Sequence, residues 1–204
     1  MKTFRNFILS ATLIFLSFHA FSQNQNPTAV ILKTPTDWGF EKYKFPIDFA
    51  PGINYKGFEE IRFSPGMMDT TSAFYFSYIF AVAINDSVKL NETAIENFLN
   101  KYYRGLSASV AKDKKLNPDT TQMKATVKNI PTAPNVSTKS YDAGITFFDT
   151  FSNGRKIYLS MEIETSYNTA THNTYMIVIV SPAEKDKTEV WNKLREIRKS
   201  NVIN

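Results

Sequence analysis

The chain has 204 residues and a mass of 23.3 kDa, with 43% hydrophobic, 14% aromatic and 21% charged residues, 7 Gly, 9 Pro and no Cys. This composition excludes collagen-like, low-complexity and disulfide-framework classes, and its apolar content argues against intrinsic disorder. The formal charge of +5 is dispersed along the chain, so the basic stripe that a nucleic-acid partner requires is missing.

The N-terminus has the layout of an export signal. Lys2 and Arg5 precede the apolar stretch from Phe7 to Phe21, and Ala20-Phe21-Ser22 supplies the small-x-small pattern of a cleavage site. The expected organisation is a signal peptide over 1–22, a flexible leader over 23–36 and one α+β domain over 37–204. The apolar stretch is short for a bilayer span, which takes roughly 20 residues. No later run is long enough either, so no transmembrane segment is expected after cleavage. Loss of Lys2 and Arg5 lowers the net charge from +5 to +3. The expected location is the periplasm or the exterior.

Strand patterns come first. Phe58–Phe63 is a short strand placing Glu60 and Arg62 on one face, opposite Ile61 and Phe63, where an exposed ion pair is the default. Ala73–Ile84 is apolar on both faces, which predicts a central strand covered on both sides. A helix over about 91–113 follows, with Asn91 as N-cap, Leu90 and Ile95 as a hydrophobic staple, and Ile95, Phe98, Leu99, Tyr102 and Leu106 as its apolar stripe.

Gln122–Ile130 is a further strand candidate. Asn153-Gly154 predicts a two-residue turn joining Tyr141–Ser152 to Arg155–Tyr167. That turn sets Phe148 opposite Leu159 and Thr146 opposite Met161, and it places Asp149 on the face that carries Glu162 and Glu164. Thr174–Val180 is a second doubly apolar strand. A closing helix over about 186–199 has capping-box spacing at Asp186 and Glu189, with Val190, Trp191, Leu194 and Ile197 buried. Segregated strands and helices predict an antiparallel sheet packed with two main helices.

Two resemblances accompany these patterns. The element order, ending in a strand and a Trp-bearing amphipathic helix, is similar in outline to PsbP and Mog1 proteins, which implies an α/β/α sandwich. Separately, the strings Asp37-Trp38-Gly39-Phe40-Glu41, Phe45-Pro46-Ile47-Asp48-Phe49-Ala50-Pro51, Gly57–Gly66 and Phe76–Phe80 resemble a family of uncharacterised secreted bacterial proteins over residues 37–80. The second likeness implies export and carries no functional residue with it.

The chemistry is defined largely by what is missing. Without Cys there is no thiol catalysis or redox centre. His172 is the single histidine left after signal cleavage, and it lies in a turn without a Gly-x-Ser-x-Gly partner. No phosphate-binding glycine loop and no metal-ligand spacing occurs, so no cofactor, metal or catalytic residue is expected.

Two constellations remain. Glu162 and Glu164 share a strand face about 7 Å apart by strand rise, with Asp149 placed nearby; they suit a solvated face, a glycan or cation contact, or paired-carboxylate hydrolysis. The aromatic block from Trp38 to Phe58, with Tyr55 and the charges Glu41, Glu60 and Arg62, suits either core packing or a binding surface. The functional expectation is a secreted or periplasmic, non-enzymatic binding or accessory module of the bacterial envelope, with a protein or a small molecule or glycan as its partner. A small-molecule or glycan binder is the first alternative, and a carboxylate-dependent hydrolase is the second.

Overall fold

The computed structural model describes residues 30–132, 137–152, 154–185 and 189–201. The expected signal peptide, the first part of the leader, Asn153 and the capping residue Asp186 lie outside the described residues. The strands are β1 (Gly39–Lys44), β2 (Gly57–Phe63), β3 (Tyr78–Ile84), β4 (Ala125–Ile130), β5 (Lys139–Phe148), β6 (Lys156–Asn168) and β7 (Asn173–Ser181). Helix α1 (Glu92–Asp113) separates β3 from β4, and α2 (Glu189–Ser200) follows β7. All strand pairs are antiparallel and form one seven-stranded sheet in the order β1-β2-β3-β7-β6-β5-β4. The α+β class and the antiparallel sheet with two helices are therefore present.

The doubly apolar strands β3 and β7 occupy the middle of the sheet, where both faces are covered. Strand alternation sorts β3 between two cores. Tyr78, Phe80, Val82 and Ile84 join Ile95, Phe98, Leu99 and Tyr102 of α1. Ile79 and Ala81 join Val190, Trp191, Leu194 and Ile197 of α2. The helices thus cover opposite faces of the sheet. Asn91 caps α1 as expected, its side-chain oxygen accepting from the Ala94 N–H at 3.0 Å. The β4 edge is blunted by α1, since Glu96 and Asn100 accept from the Val127 and Ala125 N–H groups at 3.1 and 2.9 Å.

Four expectations need correction. The run Ala73–Ile84 is extended only from Tyr78, because Ser72 to Ser77 folds into successive turns and Phe76 adopts a left-handed φ of 48°. Phe74 consequently packs towards α2, whereas Phe76 packs towards α1.

The β5–β6 hairpin has a seven-residue loop, 149–155, instead of a two-residue turn. Phe147 faces Ile157 and Ile145 faces Leu159, so the buried face of β5 is the opposite of the one expected. Asp149 leaves the strand face as a result. Its backbone pairs with Arg155 and Gly154, and its carboxylate accepts from the Phe151 and Ser152 N–H groups, both at 3.0 Å.

The flexible leader, where it is described, is a docked segment. Leu32 is fully buried among α2, Ile79 and Ile179. Thr34 and Asn201 exchange hydrogen bonds of 3.1 and 2.8 Å, which tie this segment to the end of α2.

Finally, Glu60 and Arg62 are buried rather than exposed. Glu60 accepts from the Ile31 and Leu32 N–H groups at 2.8 and 2.9 Å and pairs with Lys42 at 2.9 Å. Arg62 donates to the carbonyls of Leu32 and Trp38 at 2.9 and 3.3 Å. Both side chains grip the docked segment instead of each other, because the face beneath them is covered.

Candidate ligand cleft

The alternation of β1 sets up the site. Glu41 and Tyr43 lie on the α1 side of the sheet, whereas Lys42 lies on the α2 side and pairs with Glu60. The α1 stripe is broader than the neighbouring strands fill. Towards its C-terminal half, Leu106 and Val110 are only partly buried, and a cleft of about 920 Å³ opens between them, β1 and the 64–69 loop.

The floor is apolar and aromatic: Phe49, Ile61, Phe63, Met67, Phe76, Tyr78, Tyr102, Leu106, Val110 and Phe151. Its rings are locked by their neighbours. Tyr102 stacks on Phe80 at 5.6 Å and meets Phe49 edge-on at 5.1 Å, and Phe76 meets Phe151 edge-on at 5.9 Å. Gly105 permits this closeness, because a Cβ there would stand 2.0 Å from the Phe49 carbonyl oxygen. The loop 64–69 is held from below, with the Phe76 N–H donating to the Met67 carbonyl at 2.9 Å. The volume and lining suit a small-molecule pocket, which is concave and mostly apolar with few polar groups.

Among the described residues, every charged side chain on the cleft wall is acidic: Asp37, Glu41, Asp69 and Asp113. All four are exposed at its mouth. Glu41 accepts a hydrogen bond from the Tyr43 hydroxyl at 2.5 Å, and burial together with this bond holds the Tyr43 phenol well above its ordinary range. Asp69 accepts from the N–H and hydroxyl of Thr71 at 2.9 and 2.7 Å, which lowers its carboxyl.

Behind Tyr43 in the β1–β2 register stands Glu59, a fully buried carboxyl with no hydrogen-bond donor at either oxygen among the described residues. Burial pushes its pKa up to about 8, opposed by the nearby Tyr102 hydroxyl, which does not reach hydrogen-bond geometry. Deeper still, the Tyr78 and Tyr103 hydroxyls share a 2.6 Å hydrogen bond.

Among the eight residues singled out from the sequence, only Glu41 lines this cleft. Trp38 is buried on the α2 side, edge-on to Phe74 at 6.4 Å, and Tyr55 packs between Phe45 and Phe98. Glu60 and Arg62 hold the docked N-terminal segment. Asp149 organises its loop and accepts from the Tyr75 hydroxyl. Glu162 and Glu164 do share a face, but α2 covers it: Arg195 and Arg198 reach Glu162 at 2.6 and 3.1 Å, and Arg198 reaches Glu164 at 3.1 Å. His172 stays exposed, with its Nδ1 3.1 Å from the Tyr167 hydroxyl.

Glu59 and the 64–69 loop were not among the residues singled out, and Tyr102 was read only as part of the apolar stripe of α1. One signal for Glu59 was available: it shares strand parity with Ile61 and Phe63, so it had to lie on the apolar face.

Among the described residues no set of three or more His, Cys, Asp or Glu side chains is gathered closely enough to hold a metal ion. None of the described helices is long and apolar enough to cross a membrane. The chain matches no family model, no curated protein and no solved structure.

Proposed function

We propose that this protein is an exported, non-enzymatic binding module of the bacterial envelope that holds a small, largely apolar molecule between β1, the 64–69 loop and α1. The observation carrying this reading is the cleft of about 920 Å³ with its aromatic floor. Its size lies at the upper end of the range used for small organic ligands. A glycan site is less well supported, because the floor offers few hydrogen-bonding groups. The hydrolase alternative loses its basis in Glu162 and Glu164, whose carboxylates are engaged by arginines of α2. Export is supported by the N-terminal sequence pattern.

Native mass spectrometry of the protein isolated from envelope and medium fractions tests both parts. The expected species begins at Gln23 and carries a non-covalent small molecule. A chain that retains Met1 refutes export. A second polypeptide in place of a small molecule refutes the small-molecule reading and favours a protein-partner module.

A further inference from the structure

The shape of the cleft leaves the chemistry of its occupant open, and the charges around it narrow that choice. The chain as a whole has more basic than acidic residues, 24 against 19, yet among the described residues the cleft wall has four acids and no Lys, Arg or His. The bias follows from placement. On β1 the basic Lys42 is directed away by strand alternation and consumed by Glu60, while Glu41 and Tyr43 face the cleft. On β2 Arg62 is likewise turned to the other face, where it donates to Leu32 and Trp38. At the far end Lys114 donates to the Phe151 carbonyl.

The acids come from four separate places: ahead of β1, on β1, on the 64–69 loop and at the end of α1. They are too dispersed to chelate a metal ion together. What they create is a negative rim around an apolar floor, and a low-dielectric concavity concentrates such a field. Tyr43, partly exposed on the wall, adds an aromatic ring, and such rings attract organic cations. Behind Tyr43 stands Glu59, whose two oxygens have no donor among the described residues.

Resting on the small-molecule reading above, we infer that the occupant is an amphiphilic organic cation: an apolar body seated on the aromatic floor, with an ammonium-type group at the acidic mouth. Anionic amphiphiles such as fatty carboxylates are disfavoured, because the charged side chains described on the cleft wall are carboxylates.

Isothermal titration calorimetry at pH 7.5 with three probes sharing one chain tests this: decylammonium and decanoate below their micellar concentrations, and 1-decanol below its solubility limit. The expected result is 1:1 binding of decylammonium at least tenfold tighter than decanoate, with 1-decanol between them. The double variant Asp69→Asn/Asp113→Asn removes two of the four rim charges and should shrink that preference to about threefold or less. Circular dichroism confirms that the variant is folded. Equal or tighter binding of decanoate overturns the charge inference alone and leaves the cleft reading standing. A cation preference that survives intact in the double variant also overturns it, since the selectivity then arises elsewhere. If none of the three probes binds, the small-molecule reading falls, and the inference falls with it.

Discussion

Glu59 and Glu60 are consecutive residues of one strand, both fully buried, and they live in opposite electrostatic worlds. Glu60 faces the α2 side, where two backbone N–H groups and the Lys42 ammonium meet its carboxylate. Glu59 faces the α1 side, where neither oxygen finds a donor. The same contrast extends to the two faces of the sheet. On the α2 side the ionised groups are paired and the docked segment closes the surface. On the α1 side large aromatics pack against a helix whose C-terminal half stands off, leaving a cleft and an unanswered carboxyl. A buried charge that is paired and hydrogen-bonded serves as a fastener, whereas a carboxyl buried without partners keeps its proton and is retained at a cost in stability.

The largest effect is expected from removing the fastener. Glu60→Ala leaves the Ile31 and Leu32 N–H groups without an acceptor and Lys42 without its partner. Breaking a buried pair in this way costs about 4 kcal/mol. Urea denaturation should show that loss, and limited trypsin digestion should cut at Lys33 once the docked segment is released. A loss below about 1 kcal/mol would mean that the segment is held by Leu32 and Asn201 rather than by Glu60.

Glu59 should show the reverse behaviour, and pH reveals it. With its folded pKa at about 8 against an ordinary 4.5, the native protein keeps a proton that the unfolded chain has already released. Between these two values the native state binds more protons, so stability falls as pH rises. From pH 4.5 to 7 the loss attributable to this one group approaches about 3 kcal/mol. Glu59→Gln cannot titrate, so the difference in urea midpoint between variant and parent should move steadily in favour of the variant from pH 5 to 8. A difference that stays constant with pH would show that Glu59 finds a donor in solution.

A third substitution probes the looser face through its backbone. Gly105→Ala places a methyl 2.0 Å from the Phe49 carbonyl oxygen, so helix and loop must separate. Overpacking of this kind costs about 2 kcal/mol. Because Phe49 and Tyr102 line the cleft on either side of this contact, decylammonium affinity should fall along with stability. A thermal shift assay with and without that probe reads both quantities. Unchanged stability would mean that α1 and the 45–55 loop are more yielding than their contacts suggest.

Much of the fold was legible because it depends on local periodicity. The doubly apolar runs Ala73–Ile84 and Thr174–Val180 contain the two central strands, and Asn91 with Leu90 and Ile95 located the start of α1. The hairpin register was not legible, because it depends on loop length. Asn153-Gly154 is a strong turn signal, yet Asp149 captures the chain first by accepting from two successive loop N–H groups. The site was the least legible part. Strand parity puts Glu59 on the apolar face, but it cannot reveal that Tyr102, forty-three residues later, will stand beside it. The cleft is a shortfall of packing between distant elements, and no local pattern encodes a shortfall.

The smallest effect should come from the acids that looked most like chemistry. Glu162 lies opposite Asp142 on neighbouring strands, and the two like charges are answered from outside by Arg195, Arg198 and Lys185. Removing Glu162 leaves none of these cations stranded. Arg198 keeps Glu164 at 3.1 Å, Arg195 retains the Trp191 ring at 5.8 Å, and Lys185 keeps Asp142. Relief of the repulsion with Asp142 offsets part of what is lost. Glu162→Ala should therefore cost about 1 kcal/mol or less, and less again in high salt, because partly exposed ion pairs contribute little and are screened. Urea midpoints at low and high ionic strength check this. A loss of several kcal/mol that resists salt would place a tight, desolvated charge cluster on the α2 face, and the fastener role would then be shared between Glu60 and Glu162.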